Sequence, residues 1–272
     1  DADASIGIPD DWIDGTGTDP DRVIAGLRAK GKGSMSGTGM GMGSGMGSGD
    51  PARPLGADTG DVTYPYYLIN GKPPTDPASY DVRPGERVRL RLINAGADTP
   101  FRVAVAGSRL TVVATDGFPV QPVVVDTVLL GMGERYDVLI TAPQTGAMPV
   151  VAVAEGKAGQ ALAVLRVGPG PAPAPDVKPA ELTGQLLTLE QLRATPDVAL
   201  PAGDPDRTYP VTLTGGMQGY RWGLEVKEVA GVSLPVRVGE RIRFVFENHT
   251  RMFHPMHLHG HTFQVVNDTS DG

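Results

Sequence analysis

A thirteen-residue stretch, Val82-Arg-Pro-Gly-Glu-Arg-Val-Arg-Leu-Arg-Leu-Ile-Asn94, returns 154 residues later as Val236-Arg-Val-Gly-Glu-Arg-Ile-Arg-Phe-Val-Phe-Glu-Asn248, with seven of thirteen positions identical. Each copy reads as a turn (Gly85-Glu86, Gly239-Glu240) feeding an alternating strand that closes on Asn. In the first copy Val88, Leu90 and Leu92 alternate with Arg87, Arg89 and Arg91, which means one buried face and one wet face. A lone strand or hairpin of this kind is not stable in water, so each copy demands a sheet around it. Two copies predict a duplicated β-sandwich.

The intervening chain has the same texture. Tyr66–Ile69 followed by Asn70-Gly71, then Phe101–Val105, Leu110–Val113, Val123–Val125 and Tyr136–Ile140 all read as short strands. With 37 Gly and 25 Pro among 272 residues, the chain is interrupted too often for long helices, and an all-β fold is expected. Helical signal is confined to Asp21–Ala29 and Leu186–Leu192, each two or three turns in a connection. Gly168-Pro-Gly-Pro-Ala-Pro-Ala-Pro175 is a stiff, extended spacer and marks a domain boundary. Residues 31–49 hold nine Gly with Met35, Met40, Met42 and Met46, too little apolar surface to offset their own ordering entropy. The expected organisation is a leading segment over 1–59 containing this flexible insertion, a first sandwich over 60–167, a Pro-rich linker over 168–205, and a second sandwich starting at 206.

Several function classes drop out. A net charge of -7 gives no electrostatic footprint for nucleic acid or an anionic membrane surface. No run approaches the roughly 18 apolar residues of a membrane helix, so insertion is not expected. The first residue is Asp and no apolar leader follows it, so the start is expected to be internal or processed. Zero Cys excludes disulfides, thiolate chemistry and Cys-based zinc sites from this chain.

All five His, at 249, 254, 257, 259 and 261, fall within thirteen residues. On a strand, residues two apart share a face, so His257 and His259 present two imidazoles to one site while Leu258 points into the core. His254 precedes Pro255 and is driven toward an extended conformation, free to serve a different site. In the register of the repeat, His257 and His259 fall opposite Val103 and Val105, so one copy carries ligands where the other carries core. Imidazole suits copper, zinc, iron and nickel alike, and spacing alone does not choose among them. His249 reads as a residue beyond the strand end, and His261 as a hydrogen-bonding neighbour of the pair.

The segment His254-Pro-Met-His-Leu-His-Gly-His261, followed by Phe263, resembles the first copper signature in the last cupredoxin domain of the multicopper oxidases, the laccase-like family. Leu68-Ile-Asn-Gly71, Arg89–Asn94, Asp116-Gly-Phe-Pro119 and Gly133-Glu-Arg-Tyr-Asp-Val138 resemble the middle domain of that family, its bacterial copper-resistance branch in particular. The resemblance spans most of 60–167 and 206–266. It implies two cupredoxin-like Greek-key β-sandwiches, the second incomplete. It also implies copper (Cu2+/Cu+), four ions per complete enzyme, with His254 a type 1 ligand, His257 a type 2 ligand and His259 a type 3 ligand. The activity implied is one-electron oxidation of a phenolic or metal-ion reductant, Cu(I) included, coupled to reduction of dioxygen to water in the periplasm or outside the cell.

This chain departs from the family pattern in lacking two His-x-His pairs of a first domain and a closing His-Cys-His segment. A middle domain plus a truncated last domain is therefore expected, inactive by itself and partnered by further portions of the same protein. The Met segment has two readings, a soft Cu(I)-binding stretch through Met35, Met40, Met42 and Met46 or a plain Gly/Ser linker. The alternative to an oxidase is a periplasmic copper-sequestering protein without oxygen chemistry. A zinc site on an unrelated sandwich is disfavoured by the lack of any acidic residue between His249 and His261.

Overall fold

The structure, a computed structural model, describes residues 2–8, 10–11, 20–30, 54–56, 59–60, 62, 64–216, 220–227, 233–250 and 252–266. In chain order the strands are β1 (Ala2–Ile8), β2 (Asp10–Asp11), β3 (Tyr66–Tyr67), β4 (Ala78–Asp81), β5 (Arg87–Asn94), β6 (Phe101–Val105), β7 (Leu110–Thr115), β8 (Phe118–Val125), β9 (Thr127–Leu130), β10 (Arg135–Thr141), β11 (Gly146–Ala154), β12 (Gln160–Val167), β13 (Arg207–Gly216), β14 (Arg221–Val226) and β15 (Ile242–Asn248). One α-helix, α1 (Pro20–Lys30), lies among the described residues and matches the expected helical signal. At Leu186–Leu192 only one 3-10 turn forms, over Leu189–Gln191. The reason is visible in the backbone: Leu187 N–H donates to Thr127 O, which ties that stretch to β9 instead of to its own next turn.

Two five-stranded sheets make the first sandwich, in the orders β1-β5-β10-β7-β8 and β4-β12-β11-β6-β9. Alternation does the work on the first sheet. Val88, Leu90 and Leu92 of β5 and Tyr136, Val138 and Ile140 of β10 are buried, while the arginines between them face water. Phe101, Val103 and Val105 of β6 close the core from the other sheet. Two hairpins follow from their dipeptides. Asn70-Gly71 and Asp116-Gly117 both take positive φ at both residues, the conformation that two-residue turns need.

The sandwich reaches beyond the expected limits of 60 and 167. β1, from the leading segment, pairs in parallel with β5 and forms the edge of the first sheet. Within the linker, Leu182 is buried against Ala104, Val151 and Leu162 on the outer face of the second sheet. A covered outer face explains why β12 is buried at seven of its eight positions and is apolar without a break over 161–165.

The second unit, residues 201–254 among its described parts, contains a three-stranded sheet in the order β14-β13-β15. Among the described residues, Tyr209, Val211 and Leu213 form its buried hydrophobic set. The duplication is explicit in its pairing. β1 runs parallel to β5 from Ala2↔Val88 to Ile8↔Asn94, and β13 runs parallel to β15 from Arg207↔Ile242 to Leu213↔Asn248, the same span of the repeated strand. Among the identical residues of the repeat, the Gly, Glu and Asn make its ends. Gly85 and Gly239 have φ of 72° and 88°, and Glu86 and Glu240 each accept a backbone N–H, from Arg83 and Arg237, at 2.8 Å. At the other end Asn94 and Asn248 accept the N–H two residues on, from Gly96 at 2.8 Å and Thr250 at 2.9 Å.

Candidate metal centre

Asn248 ends β15 and starts the histidine-rich segment. Its Oδ1 accepts the Thr250 N–H, and its Nδ2 donates to Met252 O at 2.7 Å, so a tight turn is clasped from both sides by one amide. The Thr250 hydroxyl lies inside that turn, 2.7 Å from Asn248 Oδ1 and 2.7 Å from His254 Nε2. Trp222 of β14 meets the His254 ring edge-on with centroids 5.3 Å apart. Burial among these groups holds the His254 imidazole below the usual histidine range, which favours the neutral form that a metal ligand must have.

His257 and His259 stand side by side, ring centroids 4.9 Å apart in an edge-to-face arrangement, and both are exposed. His257 lies against the turn between β9 and β10. Gly133 there has a φ of +83°, and a Cβ added to it would come within 2.9 Å of His257 Nδ1. The Gly133-Glu-Arg-Tyr-Asp-Val138 motif builds this turn. The Gly131 N–H donates to Glu134 Oε2 at 2.6 Å, the Glu134 N–H donates to Gly131 O, and the Arg135 guanidinium donates to Gly133 O at 3.0 Å. Asn94 joins in through backbone bonds to Gly133 and Glu134. Burial, aided by the Asp116 charge and opposed by the Gly131 hydrogen bond, pushes the Glu134 carboxyl above the usual range. Pro255 packs on the same turn, its Cβ 3.3 Å from where a Gly131 Cβ would lie.

Two local expectations are corrected. Residues 253–258 form no strand, and Leu258 is 38% exposed instead of buried. The corresponding β6 of the first sandwich is held between β11 and β9, and Val103 and Val105 are buried there. No strand flanks 253–266 in this way among the described residues, so nothing imposes the strand or covers Leu258. His257 and His259 are neighbours all the same, because Gly133 and the pair's own contact hold them. His249 lies 3.5 Å from Glu247 on the surface, and His261 is exposed. Met35, Met40, Met42 and Met46 lie outside the described residues. Among the described residues no three His, Asp or Glu side chains converge as one metal-holding group. The donors come as a pair and a single imidazole, a set that suits copper chemically, being neutral nitrogen with no competing carboxylate. Thr250, Trp222 and Gly133 were not singled out from sequence. For Thr250 a signal was present, since it replaces Gly96 in the register of the repeat.

A family model described as multicopper oxidase matches residues 53–170, and a second of the same description matches 204–272. The multicopper oxidase MmcO of Mycobacterium tuberculosis is 45% identical over 95% of this chain and 51% of its own length. A copper resistance protein A homolog of Pseudomonas syringae pv. tomato is 27% identical over 75% of this chain and 49% of its own. The chain thus spans about half the length of these curated relatives. Among solved structures, Fet3p, a multicopper oxidase that functions in iron import, aligns with a TM-score of 0.53 at 14% identity over 79% of this chain and 36% of its own. A laccase from Botrytis aclada aligns at 0.50 and 20% identity over 84% of this chain and 40% of its own. Both likenesses concern the fold, which is the cupredoxin type.

Proposed function

Because the chain belongs to the multicopper oxidase family, we propose that it supplies part of the copper sites of an oxidase that takes single electrons from a phenolic or metal-ion reductant, Cu(I) included, and passes them to dioxygen. His254 is the ligand for the electron-accepting copper, and His257 with His259 are the ligands for the oxygen-reducing cluster. The observation that carries this reading is the pairing of His257 and His259, exposed and 4.9 Å apart, in a segment with no carboxylate between His249 and His261.

Bound copper supplies one-electron chemistry at these nitrogens. The chain's own contribution is positional. The Gly133 turn seats the His257 ring, His259 lies against that ring, and the turn clasped by Asn248 holds His254. Burial lowers the His254 pKa and so favours the neutral ring. We also propose, from the family, that the protein works in the periplasm or outside the cell; among the described residues no helix is long and apolar enough to cross a membrane.

The test is copper titration of the 272-residue chain followed by electron paramagnetic resonance and visible absorption. Copper should bind with ordinary tetragonal character and without the intense blue absorption of a thiolate site, since the chain has no Cys. A His257→Ala, His259→Ala double variant should lose most of the copper. Uptake equal in the double variant, or an intense blue band, would defeat this ligand assignment. Oxygen consumption with a phenol or Cu(I), measured on the chain joined to a copper-complete partner region, separates the oxidase from mere copper sequestration.

A further inference from the structure

Which nitrogen of His254 is free for a metal is decided by the hydrogen bonds around Thr250. The network starts at Asn248. Its side-chain oxygen is identified without ambiguity, because that atom accepts the Thr250 backbone N–H at 2.9 Å while the amide nitrogen donates to the Met252 carbonyl at 2.7 Å. The Thr250 hydroxyl, 2.7 Å from that same Oδ1, faces an atom that can only accept. A second neighbour of the hydroxyl, Met252 O at 3.1 Å, is also an acceptor only. A hydroxyl carries one proton, and here it must go toward one of these two oxygens. The Met252 N–H, at 3.3 Å, donates into the hydroxyl and takes up none of that demand. The remaining contact, His254 Nε2 at 2.7 Å, must therefore be one in which the imidazole donates. His254 carries its proton on Nε2 and presents Nδ1 as the bare lone pair.

The first copy of the repeat shows that this is an addition to the scaffold. Asn94 makes a related clasp, accepting from Gly96 at 2.8 Å and donating to Thr99 O at 2.9 Å, one residue further along than the equivalent of Met252, and to Leu130 O at 3.0 Å. In the repeat register Gly96 stands where Thr250 is and Pro100 where His254 is. The copy without the imidazole has a glycine, and so no hydroxyl, at the position equivalent to Thr250.

We propose that Thr250, itself oriented by Asn248, is a positioning residue that locks His254 in the tautomer whose Nδ1 binds copper. The assignment of His254 as a ligand rests on the function proposed above, whereas the tautomer does not. A hydrogen-bonding partner on the nitrogen away from the metal sets tautomer and ring orientation, and its loss costs about ten- to a hundredfold in metal affinity.

The experiment labels histidine with 15N in the full chain and reads the His254 ring nitrogens without metal, above the pH at which the ring is neutral. The signal is identified by its loss in His254→Gln. The native chain and Thr250→Ser should show a proton on Nε2 and a bare Nδ1, whereas Thr250→Val should show a mixture of tautomers, with the other histidine signals unmoved. Added Cu(II) should broaden the His254 ring, about ten- to a hundredfold less effectively in Thr250→Val and at native strength in Thr250→Ser. A proton on Nδ1 in the native chain, or an unchanged tautomer in Thr250→Val, overturns the proposal. If Thr250→Val does not fold, the native chain and Thr250→Ser still decide it, through which nitrogen carries the proton. Cu(II) that leaves His254 unaffected while Nε2 stays protonated sinks the copper reading and leaves the Thr250 assignment standing.

Discussion

Gly133 combines a φ of +83° with a histidine nitrogen 2.9 Å from where a Cβ would be. Both facts oppose any side chain, but they predict different losses. The positive φ costs an L residue roughly 1–2 kcal/mol of stability, and the contact displaces His257. Gly85 provides the control, since its φ is +72° but the nearest atom to an added Cβ is Gln144 Nε2 at an ordinary 3.7 Å. Gly85→Ala should therefore lower stability in denaturant titration by a similar amount and leave copper uptake alone. Gly133→Ala should lower both, with affinity down about tenfold if the turn acts as a support for the ligand. Equal copper binding in the two variants would show that Gly133 serves the turn only. This residue was visible in the sequence as part of the Gly133–Val138 motif, but its role was not, because the partner ring comes from 124 positions further along.

At the scale of elements, the segment after β12 is more than a spacer. Leu182 and Leu187 are buried, Gln185 N–H donates to Asp126 Oδ2 at 2.7 Å, and Arg109 bridges Asp126 Oδ1 and Gln185 Oε1. Gly184 is required there, since a Cβ would meet Asp126 Oδ2 at 2.6 Å. The Gln185 N–H first, and then the Arg109 guanidinium, hold the Asp126 carboxyl below its ordinary value of 3.8. A depressed carboxyl pKa means that the folded state binds fewer protons than the unfolded state. The contribution is complete above about pH 3.8 and is lost as pH falls through the lowered value. Protease cleavage within 176–192 should therefore accelerate on acidification in the native chain, and Asp126→Asn should start faster and show a flatter pH profile. Identical profiles would mean that the apolar anchors alone hold this segment. The docking of the residues that follow the proline run depends on an outer sheet face that no local pattern announces.

For the whole molecule, the two units differ in how much they bury. The first sandwich closes a core from both sheets, with Leu90, Leu92, Phe101, Val103, Leu110 and Leu165 fully buried. The second unit buries Tyr209, Val211 and Leu213, while Leu224 and Phe246 remain 60% and 45% exposed. Amide protection follows buried apolar contact and sheet pairing on both sides. Hydrogen exchange should accordingly be slowest in β5, β10 and β11 and faster throughout β13–β15. Protection of β15 equal to that of its repeat counterpart β5 would show that stability follows the repeated sequence more than its surroundings.

What the sequence by itself determined is everything with a short range or a strict period. The repeat predicted equivalent strands because its Gly, Glu and Asn make turn and end bonds within a few residues, and those bonds recur in both copies. Alternation determined which side of β5 is buried. The His cluster marked out the candidate segment, since imidazole density is a matter of composition and spacing. Only the tertiary structure decided the rest. Leu258 is exposed and its segment is not a strand, because strand formation needs neighbours to pair with, and Val103 and Val105 have them where His257 and His259 do not. β1 joins β5 through a parallel pairing across more than eighty residues, a match that depends on backbone hydrogen bonds and not on side-chain identity. The seat of His257 on Gly133 is of the same kind, a fit between backbone and ring that exists only once the first sandwich has folded.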